Sequence, residues 1–199
     1  MTNRHLCSGD MMAQLRILGD GGVNAVVLRE KDLSPGAYRD LALAAMAVLD
    51  GRKTQLILHN FPGIAKELGW PALQLPLRVA QTTPEFSEFS IRGISVHSVA
   101  EAREAKRCGA TYITAGHIFK TDCKKGLPPR GLPFLKKICE AVDLPVYAIG
   151  GITPHNIQEC LNAGAAGVCV MSGAMQATAR EIDQLMRSTG QRPIQKDLS

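Results

Sequence analysis

The chain has 199 residues, of which 45% are hydrophobic and 21% are charged, so we expect a single globular domain with a sizeable core. Its longest apolar runs, such as residues 41–49, fall short of the roughly 18 residues that a membrane span needs. Residues 1–5 lack the apolar region of a secretory signal. These features exclude a membrane partner and predict a cytoplasmic protein.

The charge balance favours a small anionic ligand. The formal net charge is +5 at pH 7, whereas aromatic residues make up only 5% of the chain and no basic helix is visible. A small phosphorylated molecule is therefore favoured over nucleic acid as the partner. The six cysteines show no CxxC or Cys/His spacing of the kind that binds a metal, so we expect no metal and no cofactor.

Short apolar segments alternate with helical segments along the chain. The predicted strands cover residues 2–7, 24–29, 55–58, 72–75, 91–96, 111–115, 145–149 and 167–171. The predicted helices cover residues 11–18, 35–50, 64–68, 99–107, 132–142 and 153–164, with one more after residue 173. Residues 77–89 show no readable pattern. Asp10, Ser34 and Ser98 are the expected N-caps, and Ser98 with Glu101 has the spacing of a capping box.

Eight strands alternating with helices predict an α/β fold, a (β/α)8 TIM barrel with a short or clipped first strand. The chain is short for such a barrel, so a doubly wound sheet is the alternative. We expect one barrel domain over residues 1–188 and a polar C-terminal tail over residues 189–199.

In a parallel barrel the active site lies at the carboxyl ends of the strands. Gly150-Gly151 and Ser172-Gly173 follow the last two predicted strands, where exposed backbone amides commonly bind phosphate. A Gly-Gly pair also occurs as a simple tight turn. Arg29 and Lys31 lie two residues apart after the second predicted strand and suit an anion, unless they form salt bridges with Glu30 or Asp32.

His117 follows the sixth predicted strand and begins a loop that also contains Lys120, Thr121 and Lys124. An imidazole at this position can take up and release a proton near neutral pH. A structural histidine that holds the loop by hydrogen bonds is the alternative. His97 is expected to order a turn, and the sequence leaves the role of His59 open. No acidic cluster follows the strands, which argues against a carboxylate-bound Mg²⁺.

Five short motifs stand out at strand ends, at residues 28–32, 93–98, 116–126, 146–152 and 170–173. Through these motifs the sequence resembles the thiamine phosphate synthase/TenI family over residues 2–176. The resemblance implies a (β/α)8 barrel of thiamine biosynthesis and, since such barrels are often dimers, a homodimer. It also implies a phosphate site at Gly150, Gly151, Met171 and Ser172. The other implied substrate-binding residues are Arg29, Lys31, Ser95, Thr121 and Lys124.

The family has two branches. The resemblance implies that the synthase joins a pyrimidine diphosphate to a thiazole phosphate and holds Mg²⁺ with aspartates after its third and fourth strands. In this chain the matching positions are His59-Asn60 and Pro76-Leu77-Arg78, and Cys123 and Val27 also depart from the synthase pattern.

The run Gly116 to Gly126 instead resembles the TenI branch, the thiazole tautomerases. That resemblance predicts an isomerase whose catalytic residue is His117. It would convert the non-aromatic carboxythiazole phosphate to its aromatic tautomer, without a metal. The alternatives are an Mg²⁺-dependent thiamine phosphate synthase and a non-catalytic regulatory protein that binds the thiazole phosphate.

Overall fold

A computed structural model describes residues 1–190 of the chain. Seven parallel strands form one curled sheet in which each strand pairs with its neighbour in sequence, so the order is β1-β2-β3-β4-β5-β6-β7. The strands are β1 (Ala25–Leu28), β2 (Gln55–His59), β3 (Ala72–Pro76), β4 (Ile91–Val96), β5 (Tyr112–Gly116), β6 (Val146–Ile149) and β7 (Gly167–Cys169). This arrangement confirms the predicted α/β, TIM-barrel-like fold.

Helices connect the strands and surround the sheet. They are α1 (Met11–Asp20), α2 (Pro35–Leu49), α3 (Pro62–Glu67), α4 (Leu77–Ala80), α5 (Val99–Arg107), α6 (Gly131–Ala141), α7 (Ile157–Asn162), α8 (Ser172–Gln176) and α9 (Ala179–Ser188). Three begin at the predicted caps, since the side chains of Asp10, Ser34 and Ser98 each accept a hydrogen bond from a backbone N–H in the first turn.

The predicted first strand, residues 2–7, is wrong. Arg4–Leu6 form a 3₁₀ turn instead. The physical reason is the buried Glu30 carboxylate, which accepts hydrogen bonds from the Thr2 hydroxyl at 2.7 Å and from the Arg4 backbone N–H at 3.0 Å. These bonds turn the segment away from a strand ladder.

The first two residues nevertheless lie between the two edges of the sheet. The Thr2 N–H donates to the carbonyl of Val27 in β1 at 2.9 Å. The Met1 amino group donates to the carbonyl of Val170, just after β7, at 3.0 Å. Two residues thus span the gap that an eighth strand fills in a complete barrel.

Two predicted helices have different boundaries in the structure. The helix expected from residue 153 begins at Ile157, because the Asn156 side chain accepts from the Thr153 N–H at 2.9 Å and holds the preceding residues in a turn. The last helix is divided into α8 and α9, because Ala177 has an extended backbone and Thr178 then caps α9. Residues 77–89 contain α4 and the 3₁₀ turn Pro84–Glu88.

The core is formed by the apolar strand residues and the inner faces of the helices; its largest fully buried side chains include Tyr38, Phe86 and Leu28. Of the predicted polar tail, only Thr189 and Gly190 fall within the described residues, and 191–199 lie outside them. Among residues 1–190 we find no helix with the length and apolar character that crossing a bilayer requires. The expected homodimer stays a prediction.

Candidate active site

A cavity of about 680 Å³ opens at the carboxyl ends of the strands. It brings together all ten residues that were predicted from the sequence to form the site. They are Arg29, Lys31, Ser95, His117, Thr121, Lys124, Gly150, Gly151, Met171 and Ser172. A volume of this size accommodates a small-molecule ligand.

Arg29 and Lys31 line the cavity, whereas the acidic residues between and after them face the other way. Glu30 is buried against Thr2 and Arg4, and Asp32 accepts hydrogen bonds from both terminal nitrogens of the Arg4 guanidinium at 2.6 and 2.7 Å. Within residues 1–190, neither Arg29 nor Lys31 forms a salt bridge. The alternative prediction of a salt bridge to Glu30 or Asp32 is therefore wrong.

The two cations belong to a larger positive region. The pKa of Lys31 is lowered, first by burial and then by the charges of Arg29 and Lys124. Lys124 comes from the loop after β5, where the 3₁₀ turn Asp122–Lys124 begins with the Thr121 side chain accepting from the Cys123 N–H. Like charges from two separate elements therefore meet at one side of the cavity, which favours an anionic ligand there.

His59 lies beneath these cations at the end of β2, and only 2% of its surface is exposed. Its pKa is lowered to about 3, first by burial and then by the charges of Arg29 and Lys31. The imidazole is therefore neutral at pH 7. Its Nδ1 atom is buried and has no hydrogen-bond partner among the described residues.

Tyr38 of α2 holds His59 and the end of β1 in register. Its hydroxyl donates to the carbonyl of Leu28 at 2.7 Å and accepts from the backbone N–H of His59 at 2.8 Å. The ring stacks on Phe61 at 4.1 Å between centroids. One buried phenol thus fixes the strand ends from which Arg29 and His59 project.

A polar layer closes the bottom of the cavity, and it was not predicted. The Gln74 amide donates to the hydroxyls of Ser95 at 3.1 Å and Thr114 at 3.2 Å, and its carbonyl accepts from Tyr112 at 2.8 Å. These residues come from three neighbouring strands. The available signal was a single polar residue within an apolar strand, since Gln74 stands between Leu73 and Leu75.

Gly150 and Gly151 follow β6 with positive φ angles of 100° and 67°. A side chain at Gly150 would collide with His117, and one at Gly151 would collide with Phe119 and the Lys120 carbonyl. The glycines therefore let the loop after β5 approach the backbone closely. Among the described residues the Gly151 amide donates no hydrogen bond, which leaves it available to a ligand. Met171 and Ser172, after β7, line the same cavity. The backbone of Gly150, Gly151, Met171 and Ser172 is called the amide cradle below.

His117 is half-buried beside the cradle, and its Nε2 lies 3.4 Å from the Leu127 carbonyl. This distance is too long for a strong hydrogen bond, so the ring is only loosely held. His97 places Nδ1 3.1 Å from the Gly116 carbonyl, which links the end of β4 to the end of β5. That His97 orders a turn stays a prediction.

Among residues 1–190, Glu101 is the one carboxylate in the cavity lining, and it accepts from the His97 N–H at 2.6 Å. In the same part of the chain, no group of three or more His, Cys, Asp and Glu side chains is arranged to hold a metal ion. Where the synthase resemblance implies aspartates, this chain has His59-Asn60 at the end of β2 and Pro76-Leu77-Arg78 at the end of β3.

The fold and the cavity define a class: a (β/α) barrel protein with a cavity lined by basic side chains at the carboxyl ends of its strands. The family model described as "Thiamine monophosphate synthase" matches residues 1–174. The chain belongs to this family of thiamine biosynthesis enzymes.

Relatives agree with the family assignment. Thiamine-phosphate synthase 2 of Streptococcus pneumoniae serotype 4 is 34% identical over 185 residues, which cover 89% of this chain and 86% of the relative. Thiamine-phosphate synthase of Roseiflexus castenholzii is 37% identical, with 79% of this chain and 71% of the relative covered. The thiamine phosphate pyrophosphorylase structure from Pyrococcus furiosus superposes with a TM-score of 0.82 at 28% identity, covering 95% and 93% of the two chains.

These relatives correct the predicted function. The tautomerase reaction, the TenI branch and the isomerase class were predicted from the loop motif after β5, and they are wrong. Relatives that match most of the chain are named as synthases instead. The motif covers one loop, Gly116 to Gly126, whereas the sequence identity with the relatives extends over most of the chain.

Proposed function

We propose that this protein is a thiamine-phosphate synthase, a transferase that joins a pyrimidine diphosphate to a thiazole phosphate. The observation that carries this proposal is that one cavity combines an amide cradle with a separate cluster of cations. Two phosphorylated substrates require two anion-binding regions within reach of each other. The relatives are named as thiamine-phosphate synthases, and the reaction of such an enzyme uses two phosphorylated substrates.

The thiazole phosphate occupies the side of the cavity that contains the amide cradle. Its phosphate accepts hydrogen bonds from the backbone at Gly150, Gly151, Met171 and Ser172. The ring then lies next to His117, whose side chain is adjacent to Gly150. Because His117 is loosely held in the free protein, we assign it to positioning the thiazole.

The pyrimidine diphosphate occupies the cationic side, near Arg29, Lys31 and Lys124. Ser95, in the polar layer, and Thr121, at the start of the 3₁₀ turn, line the space between the two anion sites and provide hydrogen bonds to the rings. This arrangement lets the carbon that bears the diphosphate face the thiazole ring.

In the transfer step, the carbon–oxygen bond to the diphosphate breaks and its electron pair stays with the diphosphate oxygen. A carbon–nitrogen bond forms with the lone pair of the thiazole ring nitrogen, and pyrophosphate leaves. Fixed cations stabilise the negative charge that grows on the leaving group. Holding both substrates in one cavity also makes the encounter effectively intramolecular.

Mg²⁺ is implied by the synthase resemblance, but the donor set of this chain does not fit it. Mg²⁺ in such sites is bound by one or two carboxylates together with substrate phosphates. The resemblance implies a pair of aspartates, but this chain has His59-Asn60 and Pro76-Leu77-Arg78 at those positions. Among residues 1–190, Glu101 is the single carboxylate of the lining, and it comes from α5 and accepts from the His97 N–H. No step of the proposed transfer is therefore assigned to a protein-bound metal.

The test is to incubate the purified protein with both substrates and to measure thiamine phosphate by chromatography, with and without added Mg²⁺. We expect product that depends on both substrates. Replacing Lys31→Gln removes one of the cations and should lower turnover about a hundredfold.

Lys53→Gln is the matched control, because Lys53 is exposed just before β2, at the opposite end of the barrel. It should retain normal turnover. Failure to form thiamine phosphate under either condition, with thiazole phosphate still bound, would reject the synthase and leave a phosphate-ligand-binding member of the family.

A further inference from the structure

Arg78 is the cation at the cavity that neither the resemblance nor the relatives assign a role. It lies in α4, directly after β3, and its side chain is exposed and lines the cavity. Among residues 1–190 its guanidinium makes no hydrogen bond and no salt bridge, whereas Arg4, Arg39 and Arg52 all do.

An arginine without a counter-ion is unusual at a site that is already positive. Within residues 1–190, the cavity lining contains four Arg and Lys side chains, namely Arg29, Lys31, Arg78 and Lys124, and the single carboxylate of Glu101. The acidic residues next to Arg29 and Lys31, namely Glu30 and Asp32, form salt bridges with Arg4 instead. The charges around the cavity therefore do not balance unless an anion binds.

We propose that Arg78, together with Arg29 and Lys31, binds the diphosphate of the substrate directly, in place of a metal ion held by protein carboxylates. This inference rests on the proposed function. It deepens that function by naming a cation within Pro76-Leu77-Arg78, the run that carries no aspartate where the synthase resemblance implies one.

The chemistry of a guanidinium suits this role. It is planar, stays charged at every physiological pH and can donate two parallel hydrogen bonds to a phosphate group. As the carbon–oxygen bond breaks, the departing pyrophosphate gains negative charge on the oxygens that the three cations contact. A metal ion and an arginine both neutralise that charge, but the arginine needs no carboxylate to hold it.

The experiment is calorimetric binding of inorganic pyrophosphate in excess EDTA and, separately, in Mg²⁺. We expect binding in EDTA with an affinity within about threefold of that in Mg²⁺. Arg78→Gln should weaken binding in EDTA about tenfold, since one set of charge-assisted hydrogen bonds is lost. The control Arg103→Gln, an exposed arginine of α5 with no salt bridge among the described residues, should bind normally.

Measuring the formation of thiamine phosphate distinguishes a failure of this inference from a failure of the proposed function. If thiamine phosphate forms in EDTA and Arg78→Gln raises the KM for the pyrimidine diphosphate alone, both are supported. If pyrophosphate binds only with Mg²⁺, or if Arg78→Gln and Arg103→Gln behave alike, the inference fails even though a synthase is present. If pyrophosphate binds in EDTA through Arg78 but no product forms, the synthase assignment fails and the anion site stands.

Discussion

The two anion-binding regions of the cavity are built in different ways. The cradle after β6 and β7 consists of backbone, and its geometry is set by two glycines with positive φ packed against the neighbouring loop. The cationic region consists of long side chains. Arg29 and Lys124 lie close enough to Lys31 to lower its pKa, and the acidic neighbours of Arg29 and Lys31 pair with Arg4 instead. The cradle therefore contributes a defined shape to the proposed ligand binding, and the cationic region contributes positive charge.

This difference predicts different sensitivities. Ligand binding at the cradle should depend little on salt concentration but should be sensitive to added side-chain atoms, because the neighbouring loop approaches the glycine backbone closely. The cationic region should tolerate small changes of shape but respond to screening and to loss of charge.

Gly151→Ala should have the largest effect. The new methyl group collides with Phe119 and the Lys120 carbonyl, and alanine strains a backbone at φ 67°. We expect a loss of about 3 kcal/mol in the free energy of unfolding, measured with urea. Gly36→Ala in α2 is the control, since a methyl group there meets no atom within 4 Å, and it should not destabilise the protein. Equal effects would contradict the close packing of the cradle.

His59 should make the stability depend on pH. Its pKa is about 3 when folded, below the value near 6.5 of an unfolded histidine. The unfolded chain therefore takes up the proton first, so stability falls as the pH drops below about 6.5. From about pH 7 to about pH 5, the native protein should lose about 2 kcal/mol more than His59→Asn. Thermal melts of both proteins across this range give the difference, and parallel curves would rule out a buried neutral imidazole.

Salt should separate the two regions most directly. Raising the salt concentration from about 0.05 M to about 0.5 M screens exposed charges, so pyrophosphate affinity should fall about tenfold. Affinity for the thiazole phosphate should fall less, because backbone amides carry no net charge. Calorimetric titration of each ligand provides the comparison. Equal salt dependence would show that both ligands use the same cations.

Much of the fold could be predicted from local sequence. Asp10, Ser34 and Ser98 begin helices where their side chains predicted, because an N-cap interaction lies within three residues of the chain. The first strand was predicted wrongly, because a carboxylate almost thirty residues away, Glu30, determines the path of Thr2 and Arg4. No local pattern contains that partner.

The candidate site was predictable in its members but not in its arrangement. Strand ends, together with the family resemblance, identified ten of the residues that line the cavity, because parallel strands bring their carboxyl ends to one edge. The sequence did not indicate the layer of Gln74, Thr114 and Tyr112, nor that Arg78 has no ion-pair partner among residues 1–190. The loop motif also led to the wrong reaction, since a short motif weighs less than identity over the whole barrel.

Local sequence sets the alternation of strands and helices, the glycine turns and the positions of the cations, because each depends on residues close together in the chain. Which charges remain unpaired depends on the three-dimensional arrangement of the chain. Arg29 and Lys31 face the cavity, while Glu30 and Asp32 are bound by an N-terminal segment that crosses between the edges of the sheet. A charge acts on a ligand only when no closer partner neutralises it, and in a folded chain those partners come from distant residues.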